Sequence, residues 1–380
     1  MKRTVALLLL LSALFASPAA AQQTPRRIPS GLFRIKQNDK WGFMNRAGKV
    51  VIKPRFDEVS DFSEGLCLVD AGDKSVYINR KGKVFLDPEA AHPDTRTKGV
   101  GDFHGGLALA QFGGTGIGRF DGTYGYINRR GETAIDPVYQ SAFDFSEGLA
   151  LVRSTSPNFL ESKWGYIDAA GKLINGFSHG IGRAFSEGLA AVEVDEKWGY
   201  VDRRGQMVIQ PQFDKAWSFS EGRARVMSGD HYKFIDRTGK VVLEPQVNFV
   251  ADFFEGLAAF NVGGKELASA EYFNFEGGKW GFINKAGKVI IPAVFDRVGI
   301  FSEGLAAANI GGKYTEGGLS SFSGGKWGYI NKRGKFVIKP AFHEAAEFSE
   351  GLAQVTLESD PRDKLGYING RGKYIWKPLN

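Results

Sequence analysis

One stretch, Lys279-Trp280-Gly281-Phe282-Ile283-Asn284-Lys285-Ala286-Gly287-Lys288, recurs with drift nine times along the 380-residue chain. A fixed recurrence of this kind restricts the chain to a repeat architecture before any other inference is made. The block begins at Trp41, Ser75, Tyr124, Trp164, Trp198, Tyr232, Trp280, Trp327 and Leu365. A second block, Phe-Ser-Glu-Gly-Leu with variations, begins at Phe62, Phe103, Phe145, Phe185, Phe219, Phe253, Phe301 and Phe348. The chain enters the pattern through Gly31-Leu32-Phe33-Arg34-Ile35 and leaves it through Tyr374-Ile375-Trp376. The interval from the Trp position to the next Phe block is constant, as from Trp41 to Phe62 or from Trp327 to Phe348, and only the unit beginning at Ser75 departs from it. The return interval varies: it is short from Phe185 to Trp198 and about twice as long from Phe253 to Trp280. Constant length marks packed backbone, and variable length marks exposed loop.

Within the constant half, Gly42-Phe43-Met44-Asn45 reads as a strand and Asn45-Arg46-Ala47-Gly48 as a turn. Asn or Asp is followed three residues on by Gly48, Gly82, Gly131, Gly171, Gly205, Gly239, Gly287, Gly334 and Gly372. A side-chain acceptor followed by a glycine free to take positive φ predicts a type I turn with a glycine bulge. Lys49 to Lys53 forms the return strand, and Pro54 ends it, because proline cannot donate to a ladder. Phe56 to Phe62 predicts a short irregular strand, Ser63-Glu64-Gly65 a turn, and Leu66 to Val69 a further strand. Fifty glycines and thirty phenylalanines favour turns and strands over helices. Apolar or small residues fall on both faces of the Trp strand, so both faces must be covered by neighbouring units. Trp41, Trp164, Trp198, Trp280 and Trp327 are therefore expected in the core, above turns closed by Gly48, Gly131, Gly205, Gly287 and Gly334. The fold class is all-β: a tandem array of nine β-meander repeats, with a propeller-like radial array favoured over an open β superhelix or solenoid.

The paired blocks Lys326-Trp327-Gly328-Tyr329-Ile330-Asn331 and Phe348-Ser349-Glu350-Gly351-Leu352-Ala353 resemble the bacterial WG-repeat (KWG-repeat) family. The resemblance spans residues 31–380 and weakens at Ser75-Val76, Tyr232-Lys233, Leu365 and Phe103-His104-Gly105-Gly106. It implies tandem β-repeats, often in envelope or secreted proteins, and brings no catalytic residues with it.

Met1-Lys2-Arg3, an apolar run from Val5 to Phe15 and a small-residue end through Ala21 have the order of a secretory signal peptide. The expected organisation is a signal peptide at 1–21, a linker at 22–30 and the repeat array at 31–380. The apolar run is too short to span a bilayer, so the processed protein is expected to be exported, periplasmic or secreted, and not transmembrane. Losing Lys2 and Arg3 lowers the net charge from +7 to +5, which suits weak contact with an acidic envelope surface. No Lys/Arg run suggests nucleic acid. Cys67, the only cysteine, sits in an apolar strand and reads as a buried filler.

The five histidines, His92, His104, His179, His231 and His343, have neither metal-ligand spacing nor a common place in the repeat, so structural or solvated roles are expected. No GxSxG elbow or phosphate loop occurs. No catalytic residue, metal or cofactor is expected. Two surfaces stand as candidates for binding. Basic turn residues, Arg129, Arg130, Arg203, Arg204, Lys332 and Arg333 among them, should line one edge; they offer either an anionic-ligand surface or a solvated rim that blocks strand pairing. The Ser-Glu-Gly turns share that edge and would partly neutralise it. Insertions at 261–279 and 309–326 carry Tyr272, Phe273, Phe275, Tyr314 and Phe322 on the side opposite the turns. Insertions confined to one face of a repeat array often build a binding surface. The expected function is a non-enzymatic scaffold for a protein or glycan of the cell envelope or exterior; the alternative is a glycan-acting or other hydrolytic enzyme on a propeller-like scaffold.

Overall fold

The computed structural model describes residues 31–92, 97–113, 122–155, 163–177, 180–266, 275–315, 321–357 and 365–377. The signal peptide and the linker lie outside the described residues, as do Tyr272 and Phe273.

The described residues form antiparallel meanders, and one helical turn, Pro88–Ala91, is the helix among them. Nine blades follow in chain order. Blade one holds Leu32–Gln37, Lys40–Asn45 and Val50–Phe56. Blade two holds Glu58–Val59, Leu66–Ala71, Lys74–Asn79 and Val84–Leu86. Blades three and four share a seven-stranded sheet, because Thr133–Ala142 runs unbroken from the last strand of one into the first of the next. Blade five is Leu189–Val194, Lys197–Asp202 and Met207–Phe213, with a bridge from Gly182 to Val192. Blades six to nine are four-stranded and begin at Lys215, Phe249, Arg297 and Glu344.

The sheets are cut differently from the sequence units. The Trp strand and its return strand are the third and fourth strands of one blade, while the Phe block and the Leu strand open the next. The return strand, Val50–Phe56, does not pair with Glu58–Val59, so each Trp-led unit straddles two sheets.

Local chemistry accounts for the strands. In each Asn/Asp-x-x-Gly turn the glycine amide donates to the Asn or Asp carbonyl at 2.8–3.0 Å, and the side-chain oxygen accepts the amides two and four residues on, as at Asn45, Ala47 and Lys49. The glycines take φ near 80°, which completes a type I turn with a bulge. The glycine of Trp-Gly has a different task. A bulge carries the fourth strand across it, and a methyl on Gly42, Gly199 or Gly281 would lie 2.4–2.5 Å from the carbonyl oxygen of Ile52, Ile209 or Ile291. Where Val76 and Lys233 replace that glycine, the fourth strand stops after three residues, at Val84–Leu86 and Val241–Leu243.

The aromatic residue two after the Trp position is the most evenly buried member of the repeat. Phe43, Tyr77, Tyr126, Tyr166, Tyr200, Phe234, Phe282 and Tyr329 are at most 1% exposed. Each meets the phenylalanine of the next Phe block at 4.7–5.1 Å between centroids. Five tyrosine hydroxyls, from Tyr77, Tyr126, Tyr166, Tyr200 and Tyr329, donate to a first-strand carbonyl of the next blade at 2.5–2.8 Å. Trp198 and Trp280 are buried, whereas Trp41, Trp164 and Trp327 are half-buried near the ends of their strands. Cys67 is fully buried, and burial pushes its thiol up to about 12.

The array is propeller-like, and its two ends meet. Each turn glycine packs on the fourth strand of the preceding blade: Gly82 on Ile52, Gly239 on Ile209, Gly334 on Ile291, Gly372 on Ile338. Gly48 of blade one makes the same contact with Ile375 of blade nine. Phe33, Ile35 and Met44 form one buried cluster with Leu352, Leu365 and Tyr367. First strands lie toward the axis, while fourth strands carry the exposed Val51, Val84, Val208, Val289 and Val337 of the rim.

Candidate functional site

Strand alternation sends the Asn/Asp-x-x-Gly and Glu-Gly turns to one face and the variable connections to the other. On the turn face, Glu64, Glu147, Glu187, Glu221, Glu255, Glu303 and Glu350 all take φ of 50–54°, followed by glycines at 76–84°. Two successive positive φ values make a type I′ turn, for which glycine or asparagine would be the easy choice. The glutamates do something those residues cannot. Each carboxylate accepts the turn-glycine amide of the next blade at 2.6–3.0 Å: Glu64 from Gly105, Glu147 from Gly188, Glu187 from Gly222, Glu221 from Gly256, Glu255 from Gly304, Glu303 from Gly351. Glu350 closes the circle on the Gly31 amide. Serine hydroxyls beside them donate to the next blade's Phe carbonyl, as from Ser186 to Phe219 at 2.7 Å.

The basic turn residues divide between this belt and solvent. Arg129 donates to the Glu64 carbonyl and Lys332 to the Glu255 carbonyl, at 3.0 and 2.9 Å. Arg203 lies over Gly148. Arg130 pairs with Glu132 at 2.9 Å. Arg204 and Arg333 are exposed and have no ion pair among the described residues. The expected continuous basic edge is thus interrupted: alternate cations hold neighbouring turns, and the glutamates they touch offset their charge.

The opposite face carries the two long insertions, and both are strand extensions. Leu257–Glu266 pairs with Phe275–Asn284, and Leu305–Thr315 with Ser321–Asn331. They share a base. Asn261 and Asn309 are 0% exposed, accept the amides of Gly264 and Gly312 at 3.0 and 3.1 Å, and donate to the carbonyls of Gly277 and Gly324. A methyl on Gly278 or Gly325 would lie 2.3 Å from the Asn oxygen, which explains the paired glycines on each arm. Phe275 opens the returning arm of the first hairpin. In the second, Tyr314 faces Phe322 edge-on at 4.9 Å, and Phe322 meets Trp327 at 6.3 Å. These rings pack on their own blade and still form a wall.

That wall bounds a cleft of about 460 Å³ between blades eight and nine. Arg297, Phe322 and Trp327 line one side, and His343, Glu344, Glu347, Gln354 and Thr356 line the other. The Arg297 guanidinium sits 5.3 Å over the Phe322 ring. His343 Nδ1 and Thr356 Oγ1 are buried without a hydrogen-bond partner. Arg297, His343, Trp327 and Thr356 all stand at the strand ends remote from the turns, so the cleft opens on the hairpin face. The sequence reading passed over His343, although it carried a signal. In the comparable units Lys40, Lys197 and Lys279 pair with Asp57, Asp214 and Asp296, and Lys326 has His343 at the matching place instead.

Toward the axis, Asp61, Asp102 and Asp144 come from successive first strands. Arg34 pairs with Asp61 at 3.2 Å, and the Ser60 hydroxyl bonds Asp102 at 2.6 Å. Burial, and then the charge of Asp102, push Asp144 up to about 7. Burial also raises Asp102. Among the described residues no group of His, Cys, Asp and Glu is arranged to hold a metal, and no helix is long and apolar enough to cross a membrane.

A family model described as "WG containing repeat" matches residues 41–74, 124–154, 181–198, 198–232, 234–265, 280–314 and 327–359, together more than half of the chain. No curated protein matches the sequence. Among solved structures, one titled as the crystal structure of the eukaryotic initiation factor superposes with a TM-score of 0.55 at 12% identity, over 93% of this chain and 100% of that one. Prolyl oligopeptidase B from Galerina marginata gives 0.44 at 10% identity, over 85% of this chain and 50% of that one. Kluyveromyces lactis Hsv2 gives 0.35 at 11% identity, over 60% and 72%. The first of these is a likeness of fold.

Proposed function

This chain belongs to the WG-containing repeat family, and from that premise we propose that it is an exported, non-enzymatic scaffold that binds a protein or glycan of the cell envelope or exterior through its hairpin face. The observation that carries the proposal is the pair of neighbouring hairpins in blades seven and eight. Both are lengthened, both are held by the same fully buried asparagine, and they stand beside the cleft. A loop that only had to join two strands would need neither the length nor the pinned base; Lys40 follows Gln37 after two residues in blade one. A rigid base with a variable tip is how a scaffold presents a contact surface. The basic residues of the turn face are engaged in holding the ring, which leaves the hairpin face as the better candidate.

The test is to shorten both hairpins, removing 266–275 and 315–321 while keeping the asparagines and the paired glycines. The shortened protein should lose retention of envelope components on an affinity column, with its melting temperature unchanged. Equal retention by the parent and the shortened protein would defeat the proposal.

A further inference from the structure

We propose that the cleft between blades eight and nine is a binding site for a short neutral saccharide. The inference rests on the hairpin face being the binding face, and it adds the class of ligand.

The repeat supplies its own reference. In three other units the lysine that begins the Trp strand pairs with the Asp just past the return strand: Lys40 with Asp57, Lys197 with Asp214, Lys279 with Asp296. The second oxygen of each Asp accepts a glycine amide, from Gly72, Gly229 and Gly311. In the unit that ends at the cleft, His343 takes that place. Its Nδ1 is buried without a partner, and Lys326 is exposed without an ion pair among the described residues. One strand over, Gln354 stands where most other blades have a leucine or alanine, Leu68, Leu109, Leu151, Ala191, Ala259 or Ala307. Two residues later, Thr356 is 3% exposed with Oγ1 unpartnered, at the position where Asn261 and Asn309 are fully bonded. Each exchange replaces a satisfied or apolar group with an unsatisfied polar one, and each buried orphan costs about 1–3 kcal/mol. The departures do not improve packing, and they converge on one cavity.

The chemistry of the lining selects the ligand. An imidazole nitrogen, a hydroxyl and an amide exchange hydrogen bonds with hydroxyl groups in either direction. Arg297 opposes Glu344 and Glu347, so neither sign of charge dominates the walls. The half-buried Trp327 and the edge of Phe322 give an apolar face on which the C–H side of a sugar ring can rest. The volume, about 460 Å³, falls in the ~300–1,000 Å³ range of small-ligand sites.

The experiment is titration of the full chain with cellobiose, maltose and chitobiose, followed by tryptophan fluorescence and calorimetry. At least one disaccharide should bind with Kd at or below about 1 mM. Thr356→Val and Trp327→Ala should each weaken it by about tenfold or more. Thr356→Val removes a buried orphan, so its melting temperature should hold or rise, which separates lost binding from lost folding. The proposal is overturned if no disaccharide binds at ~10 mM, or if Thr356→Val binds as the parent does. If the disaccharides fail while hairpin-dependent retention of an envelope protein persists, the saccharide site falls and the scaffold reading stands. If a disaccharide binds and hairpin shortening changes no retention, the cleft stands and the hairpins lose their role.

Discussion

Ile35→Ala tests whether the array is a ring. Ile35 lies in the first described strand and is 0% exposed. Its cluster contains Phe33 and Met44 from blade one and Leu352, Leu365 and Tyr367 from blade nine. The covering residues of blade nine therefore come from the opposite end of the chain. In an open stack that face would be in water, and truncation there would be nearly silent. In the ring, removing three carbons forfeits about 2.4 kcal/mol at ~0.8 kcal/mol per methylene. The unfilled cavity brings the loss to ~3–4 kcal/mol, within the usual range for such truncations. The comparison is Val51→Ala on the rim, where the side chain is 43% exposed and the cost should stay under ~0.5 kcal/mol. Thermal unfolding followed by tryptophan fluorescence should show Ile35→Ala lowered by roughly 5 °C or more against an almost unshifted Val51→Ala. Equal melting temperatures for the two variants would refute ring closure.

Gly199→Ala places a methyl 2.4 Å from the Ile209 carbonyl oxygen, so the third and fourth strands must separate; a loss of more than ~3 kcal/mol is expected in denaturant melts. Tyr200→Phe leaves the Trp217 carbonyl without its 2.8 Å donor and should cost ~1–3 kcal/mol. The naturally occurring Phe234 and Phe282 show that the ring packing itself tolerates the change. Asp144 titrates near 7 in the folded chain against about 3.9 when free. Below that free value both states hold the proton and nothing is lost. As pH rises, the unfolded chain releases its proton first and stability falls, with the full cost present only above about 7. Asp144→Asn should therefore raise the melting temperature at pH 8, measured by scanning fluorimetry, and leave it unchanged at pH 4.

Much of this fold was open to reading because the repeat states its rules nine times. Asn45 and Gly48 announce the turn, since the side-chain oxygen and the positive φ are local requirements that any copy must meet. The boundary between blades was hidden. Phe56 and Glu58 are near neighbours in sequence, yet they belong to different sheets, because the fourth strand ends at Phe56 and Glu58 begins pairing with Asp70. Burial was also misallocated between Trp and its second neighbour. Alternation puts Trp41 and Phe43 on the same face but does not say how far along the strand solvent reaches, and Trp41 is near the end. The glutamate belt escaped for a third reason: its partners lie 35–49 residues away, on the next blade, so each Glu looks like an ordinary turn residue when read alone. At the cleft, His343 is visible only after Asp57, Asp214 and Asp296 have been recognised as one repeated ion-pair position.

The belt has a break, and the break makes its logic testable. Seven glutamates sit in left-handed backbone, a conformation that costs a residue with a Cβ ~1–2 kcal/mol. In blade three the position is Gly105, at φ 62°, and no carboxylate is present there to meet the Gly148 amide. Space is available, since a Cβ on Gly105 would meet nothing within 4 Å. Arg203, already over Gly148, occupies the place from which Arg129 and Lys332 grip Glu64 and Glu255. In Gly105→Glu the left-handed strain is offset by two gains. The unfolded chain loses glycine's freedom, ~0.4–1 kcal/mol, and a hydrogen bond with a charged acceptor contributes ~1.5–3 kcal/mol. A net stabilisation of ~1 kcal/mol follows, seen as a higher denaturant midpoint. Gly105→Gln, which cannot supply the charge, should gain less, and raised salt should narrow the difference between the two variants. If Gly105→Glu is less stable than the parent, the glutamates elsewhere are tolerated turn residues and the ring is held by its aromatic layers alone.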